Sequence, residues 1–334
     1  MHRLGRILTH PAALGICACV MEALLLALRI QGDLRFRVPE SAGLLLLTST
    51  FYLVAVYGVL AAGGEGWVGG RRGRLVLIAG AALAFRITVW PMAPALSDDV
   101  FRYRWEGRLQ AEGGNPYQSR PNDPEWDRLR DATWPRVGGK DVKAGYGPLW
   151  ELIQHAVYRL AALGTTDPER QAFWLKAPAA LFDLATIGAL AGLLAARRRP
   201  LGLLLIYAWS PLVIIEFWGS GHNDAVAVFF VVLGLWLAAG ARWWPAFASI
   251  SLAACAKLWP LILFPVFVGW NGRRPLRWKQ WTIFLPIAAA LAAPYWSNVE
   301  ENARVMSGFV GGWRNNDSLY GLLLWVAGDK YTAK

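Results

Sequence analysis

Cysteine is scarce in this chain: three among 334 residues, Cys17, Cys19 and Cys255, each inside an apolar stretch. Three thiols so placed exclude a disulfide framework and a thiolate metal centre, and are expected as buried, unpaired side chains. Charge is also thin. Asp, Glu, Lys and Arg make up 17% of the chain, against about 25% in an ordinary soluble domain. No Gly-x-x-x-x-Gly-Lys-Ser/Thr loop is present, and no Gly-x-Gly-x-x-Gly turn follows a strand, so neither ATP hydrolysis nor dinucleotide chemistry is indicated. His-Glu-x-x-His and Gly-x-Ser-x-Gly are missing as well. Internal repeats and low-complexity tracts are absent, which sets solenoids and disordered tails aside.

What the chain has in quantity is apolar surface: 55% hydrophobic residues and 19 tryptophans. About 20 apolar residues cross the ~30 Å hydrocarbon core of a bilayer. Windows of that kind run from Pro11 to Leu28, Ser41 to Ala62 and Leu75 to Leu96, then over 171–196, 201–218, 224–240, 245–269 and 280–296, and a last one opens at Ser318. The expected fold class is therefore all-α, a polytopic transmembrane helical bundle, read as one transmembrane domain over 1–334. The N-terminal MHRLGR with the following run lacks a small-x-small cleavage site and is expected as a retained span.

The net charge of +11 would suit a nucleic-acid binder, but its placement argues otherwise. Lys and Arg in short loops mark the cytoplasmic side. Arg3 and Arg6, then Arg71, Arg72 and Arg74, then Arg197–Arg199, and finally Arg273, Arg274, Arg277 and Lys279 fall where alternation of spans predicts inner loops. The stretch 97–147, which this topology puts outside, holds nine acids and nine bases. The surplus is a topology signal, so no nucleic-acid partner is expected. The N-terminus is expected in the cytoplasm, in an inner (plasma) membrane. Residues 148–163 carry Glu151, Gln154, His155 and Arg159 and are short for a span, which suits an amphipathic helix in the outer interface. The run 245–269 is interrupted by Lys257, Pro260 and Pro265, as a broken or re-entrant pair would be.

Four features carry candidate chemistry. Ser97-Asp98-Asp99-Val100-Phe101-Arg102-Tyr103 sets two adjacent carboxylates at the outer surface. Asp98 is placed to cap the following helix, while a second acid is free to act as a general base or, with its neighbour, to hold a divalent cation such as Mg2+ or Mn2+. Gly219-Ser220-Gly221-His222-Asn223-Asp224 joins two spans; Asp224 suits an N-cap, and His222 suits a donor to a phosphate or a sugar hydroxyl. Glu22, Arg86, Asp183, Glu216 and Lys257 are intramembrane charges, which face protein or a wet cavity. Lys257 is open to two readings, an ion pair with Glu216 or Asp183, or a contact to an anionic head group. Trp105, Trp126, Trp134, Tyr117 and Tyr146 suit a lipid–water interface and equally suit stacking on a sugar.

Taken in order, SDDVFRYRWEGRLQAEGGNPY, YGPLWELI, YAWSPLVIIEFWGSGHNDAVAV, KLWPLILFPVF and Trp313-x-Asn-Asn-Asp-Ser-Leu resemble the polytopic GT-C glycosyltransferases, and within them bacterial polyprenyl-phosphate-mannose-dependent alpha-mannosyltransferases. The resemblance spans roughly 75–325. It implies an extracytoplasmic catalytic loop over 97–147, with the essential acid at Asp99 and Asp98 beside it. It places the family's Gly-His-Asn-Asp turn on Gly221 to Asp224 and its Lys-x-x-Pro break on Lys257 and Pro260. Members of this fold continue for several more spans, so a C-terminally truncated chain is expected.

The implied reaction is an inverting transfer of a sugar, mannose by resemblance, from a polyprenyl-phosphate donor lipid to a glycan or glycolipid hydroxyl outside the cytoplasm. Asp99 would take the hydroxyl proton, with Asp98 as its catalytic neighbour. Arg102, Arg104, Tyr103, His222, Asn223, Asp224, Lys257 and Tyr146 are the candidate substrate-binding residues. The rival class, a lipid-linked sugar flippase or secondary transporter, would explain the broken helices but predicts paired halves that the chain lacks.

Overall fold

The computed structural model describes residues 10–61, 70–94, 96–269 and 278–298. Among them the structure is helical, with no strands. Arg3, Arg6, Arg273, Arg274, Arg277, the run from Ser318 and the Trp313 motif lie outside the described residues.

Three helices form the N-terminal part of the bundle: α1 (Pro11–Ile30), α2 (Val38–Ala61) and α3 (Gly70–Val89). Pro at the first turn of α1 suits a position whose N–H has no helical partner, and the His10 ring accepts the Ala12 N–H. α1 packs on both α2 and α3. The third span read as Leu75–Leu96 ends earlier: α3 stops at Val89, and Trp90 onward turns towards the next element.

α4 (Asp99–Ala111), α5 (Pro148–Gly164) and α6 (Pro168–Trp174) build a lobe packed against the bundle, with the loop 112–147 between the first two. Its core of Val100, Phe101, Tyr103, Trp105, Leu109, Leu129, Val137, Trp150, Ala172 and Leu175 is shared with Val226, Ala227 and Ala256 of the bundle. The helix expected over 148–163 is present, with Glu151 and Gln154 buried inside the lobe and Arg159, Leu160 and Leu163 exposed. Glu106, Gln154 and Glu151 are all fully buried, with Gln154 Nε2 donating to Glu106 Oε2 at 2.9 Å and also to Glu151. Burial and the Glu106 charge hold the Glu151 carboxyl well above its usual range.

α7 (Ala177–Ala196) continues the line of α6, the two together forming a 29-residue apolar stretch from Pro168 to Ala196. α8 (Leu204–Ala208) and α9 (Pro211–Ile214) meet at Trp209–Ser210, where the chain bends by 59° between Leu201–Ala208 and Pro211–Ser220. The Pro211 ring lacks an N–H and cannot continue a helical ladder, which accounts for the bend. A π-helical turn, Ile215–Ser220, follows. α10 (Asp224–Ala239) packs against α7 and α11 (Trp243–Ala256). The 245–269 window is broken as expected: α11 ends at Lys257, a 3-10 turn covers Trp259–Leu263, and α12 (Phe264–Gly269) resumes. The 280–296 window is broken too, with α13 (Phe284–Ala292) flanked by 3-10 turns.

Among the described residues three helical stretches, Ala12–Ile30, Val38–Ala61 and Pro168–Ala196, are long and apolar enough to cross a bilayer, and the bent pair makes a fourth if it is one span. Only 33%, 22% and 28% of their apolar windows are buried inside the protein. The rest is half-buried or exposed, and the exposed part includes Ile16, Leu46, Leu53 and Leu181, which water would penalise and lipid does not. Cys17 and Cys255 are buried thiols, but Cys19 is exposed on α1, contrary to expectation. Within the bundle Arg86 and Asp183 are fully buried and paired at 2.6 Å; Arg86 also donates to the Ala82 and Ala208 carbonyls, and Trp218 to Asp183. Every polar group in this pair is thereby satisfied, as a low-dielectric interior demands.

Candidate active site

Two turns meet where the lobe joins the bundle. The first enters α4. Ser97 Oγ, not Asp98, accepts the Asp99 N–H, and Asp98 makes no capping bond, so the capping expectation for Asp98 does not hold. The second turn leaves the π-helical segment. Gly221 has φ +75°, which L side chains rarely adopt, and a Cβ there would lie 2.8 Å from Lys176 Cγ and 3.1 Å from Val100 Cγ1. Glycine therefore lets the turn sit directly on the residue after Asp99.

The wider π-turn aligns Glu216 with the residues beyond it: the His222 N–H donates to the Glu216 carbonyl at 3.0 Å, and His222 Nδ1 meets the Glu216 carboxylate. The other ring nitrogen, Nε2, lies 3.6 Å from Asp99 Oδ2. Asp99, His222 and Glu216 thus form a line across the seam. Burial lowers the His222 pKa, but the Glu216 hydrogen bond and the charges of Glu216, Asp99 and Asp224 outweigh it and raise the ring above its ordinary value.

Tyr103, one turn along α4, is fully buried and its hydroxyl lies 3.4 Å from Asp99 Oδ2. Its ring packs edge-on against Tyr146 at 5.1 Å and Trp150 at 4.8 Å. Burial pushes both phenols well above their usual range, with the Asp99 charge adding to it, so both stay neutral. Gly147 brings this aromatic group to the broken helix, because a Cβ at Gly147 would collide with the Cys255 carbonyl at the end of α11. Two residues on, Lys257 Nζ donates to Asp224 Oδ2 at 2.5 Å. Lys257 therefore pairs with neither Glu216 nor Asp183, and Asp224 is a lysine partner at the first turn of α10 rather than its cap. Asn223 is 2% exposed and its Nδ2 has no protein partner, an uncommon state for a buried donor.

A cavity of about 420 Å3 opens beside the line of charges. Glu216, His222 and Asp224 line one part, and Leu212, Val213, Phe217 and Val228 supply apolar walls. Leu212 is 70% exposed, so the cavity reaches the outward face of the bundle.

Asp99, Tyr103, Tyr146, His222, Asn223, Asp224 and Lys257 are thus gathered at one seam. Arg102 and Arg104 are not free to serve it. Arg102 is 5% exposed, pairs with Glu106 at 2.6 Å and donates to the carbonyls of Gly138, Gly139 and Val142. Arg104 holds Asp131, Thr133 and Gln171. Both staple the lobe. The proposed cation between Asp98 and Asp99 does not fit the donors present. Asp98 Oδ1 is 3.7 Å from Arg35, Asp99 faces His222, and no group of three His, Cys, Asp or Glu able to hold a metal ion occurs among the described residues. Glu216, read in the sequence only as an intramembrane charge, belongs to the site. Lys176 was not singled out: it is fully buried, donates to the Trp90 and Met92 carbonyls, and supports both turns.

Residues 4–272 match the family described as alpha-(1->6)-mannopyranosyltransferase, N-terminal domain. No curated protein and no solved structure gives a significant match to the chain.

Proposed function

The chain belongs to the alpha-(1->6)-mannopyranosyltransferase family, and on that premise we propose that it moves mannose, with inversion, from a polyprenyl-phosphate donor to a sugar hydroxyl at the extracytoplasmic face of the plasma membrane. The observation that carries this reading is the line Asp99–His222–Glu216 at the rim of an apolar-walled cavity. Asp99 is the base. It is 42% exposed on its side chain, within reach of an incoming hydroxyl, and takes the proton as that oxygen attacks the anomeric carbon. The bond from that carbon to the donor phosphate breaks, and its electron pair leaves with the phosphate.

The leaving phosphate gains charge, which donors fixed in a water-poor site stabilise strongly. His222, Lys257 and the unpartnered Asn223 amide are the donors at hand. Tyr103 and Tyr146, kept neutral, supply hydroxyl and ring surface without adding charge. The apolar walls of Leu212, Val213, Phe217 and Val228 suit a donor whose remaining part is lipid.

The test is Asp99→Asn in the purified chain reconstituted in lipid, with mannose transfer and donor binding measured separately. Losing a general base is worth about 10²–10⁴-fold in rate. A loss of that size with donor binding kept supports the reading; unchanged transfer overturns it. Donor movement across the bilayer without transfer would favour a flippase instead. A reporter fused near Lys140 that reads cytoplasmic would overturn the assigned side.

A further inference from the structure

Lys176 sits at the joint between α6 and α7 and is fully buried. Its Nζ donates to the Trp90 carbonyl at 2.8 Å and to the Met92 carbonyl at 2.9 Å. Both oxygens lie just past the end of α3, where the helix no longer supplies donors to its carbonyls. The ammonium also lies over the Trp90 ring at 5.2 Å and the Phe173 ring at 5.0 Å. A lone buried ammonium would be costly; two carbonyl dipoles and two ring faces hold this one.

The stem of the same side chain is the floor of the turn that presents His222. A Cβ at Gly221 would lie 2.8 Å from Lys176 Cγ and 3.1 Å from its Cα, and 3.1 Å from Val100 Cγ1 beside Asp99. Two further contacts bind the end of α3 to the π-helical segment that carries Glu216. The Trp90 ring packs edge-on against Trp218 at 5.5 Å, and a Cβ at Gly219 would touch Val89 Cγ1 at 3.4 Å. One side chain is fastened at its tip to the segment leading towards Asp99 and touched along its stem by the His222 turn.

We propose that Lys176 is a positioning residue of the transfer reaction, fixing the His222 turn against the end of α3 and the start of α4 so that the ring stays 3.6 Å from the Asp99 carboxylate. The inference rests on the transfer reaction above. An apolar side chain of the same length fills the space but leaves the Trp90 and Met92 carbonyls without their donor. A buried carbonyl in that state is costly, so the turn shifts to find another. Displacing a reacting group by about 1 Å is enough to cost up to 10²-fold in rate. The same displacement has a second signature at His222. Glu216, Asp99 and Asp224, the last paired with Lys257, face the ring, and their charges hold its pKa up against burial. Moving the ring away from Asp99 lowers that pKa, whereas removing the Lys176 charge by itself would raise it, so the direction of change reports the geometry.

The experiment compares Lys176→Met and Trp90→Leu with the unaltered full chain. With polyprenyl-phosphate-mannose as donor and octyl α-mannoside as acceptor, Lys176→Met in lipid is expected to lower kcat by about 10- to 100-fold, with donor KM moving by less than about twofold. In parallel, NMR of the histidine-labelled chain in detergent, with His222→Gln identifying the resonance, is expected to show His222 titrating at lower pH in Lys176→Met. Trp90→Leu keeps the ammonium and removes the ring against Trp218. It is expected to move both readouts in the same direction by less, and it carries the test if Lys176→Met does not fold. A His222 titration that stays in place or moves upward overturns the inference, even if the melting temperature falls, because that is the mark of a merely structural role. So does an unchanged kcat. Absence of any transfer by the unaltered chain overturns the proposed function instead, and the histidine titration still decides whether Lys176 sets the contact between His222 and Asp99.

Discussion

α2 and α4 are opposites in composition and in burial. α2 is apolar along most of its 24 residues, yet its buried positions are Ser41, Thr48, Ala55, Gly58 and Val59, while Leu46, Leu53 and Leu60 stand exposed. α4 carries Asp, Glu and three Arg in 13 residues, yet nine of them are buried, Arg102, Arg104 and Glu106 included. Water as the only solvent would have produced the reverse. The contrast follows if α2 is solvated by lipid, which leaves small residues to make the helix contacts, while α4 is the centre of a polar lobe whose charges neutralise one another inside it.

The sharpest way to break this comparison is to remove one charge from the lobe. Arg102→Ala strands fully buried Glu106 and frees three carbonyls, so a loss of about 3–5 kcal/mol is expected in chemical or thermal unfolding in detergent. A loss below ~1 kcal/mol, the range of exposed pairs, would mean that the lobe interior is wet.

Adding a charge to the bundle tests the other half. Leu46→Arg places a guanidinium on the outward face near the middle of α2, with a penalty of roughly 2.5–3.5 kcal/mol expected in a membrane-insertion assay. Arg128→Ala, at an exposed pair on the lobe, is expected to stay within about 0.5 kcal/mol of the unaltered protein. Equal effects at the two sites would remove the argument that they face different solvents.

The smallest expected effect is at the seam between the regions. His222 has its pKa raised in the fold, so its partnership with Glu216, Asp99 and Asp224 contributes stability that is fully present below the ordinary histidine value. That contribution is lost as pH rises through the raised one. A pH series of melting temperatures should show this decline in the unaltered chain and a flatter profile in His222→Gln. Parallel profiles would show that the ring does not titrate with folding.

Much of this was legible beforehand. Apolar runs of span length located α1, α2 and the Pro168–Ala196 stretch, since length and hydropathy are properties of the chain itself. The break at Lys257 followed from Pro260 and Pro265. The Asp98–Asp99 and His222–Asp224 turns stood out as polar clusters beside apolar runs. The roles of Arg102 and Arg104 could not be read, because a helix dense in charge looks solvent-facing until its partners, Glu106, Asp131 and the carbonyls of 138–142, are known. Lys257 is read in the sequence against Glu216, Asp183 or an anionic head group, and the packing of α10 on α11 gives it Asp224 instead. Arg35 lies 63 residues from Asp98 with no motif around it, so nothing local announced the contact.

The sequence by itself determined that this chain is a helical membrane protein with polar turns at a few span ends, because the free energy of placing 20 apolar residues in lipid depends on composition alone. Only the tertiary structure decided which charges face each other. A pairing across tens of residues depends on distance and dielectric, and here both are set by small contacts: Gly221 against Val100 and Lys176, and Gly147 against the end of α11.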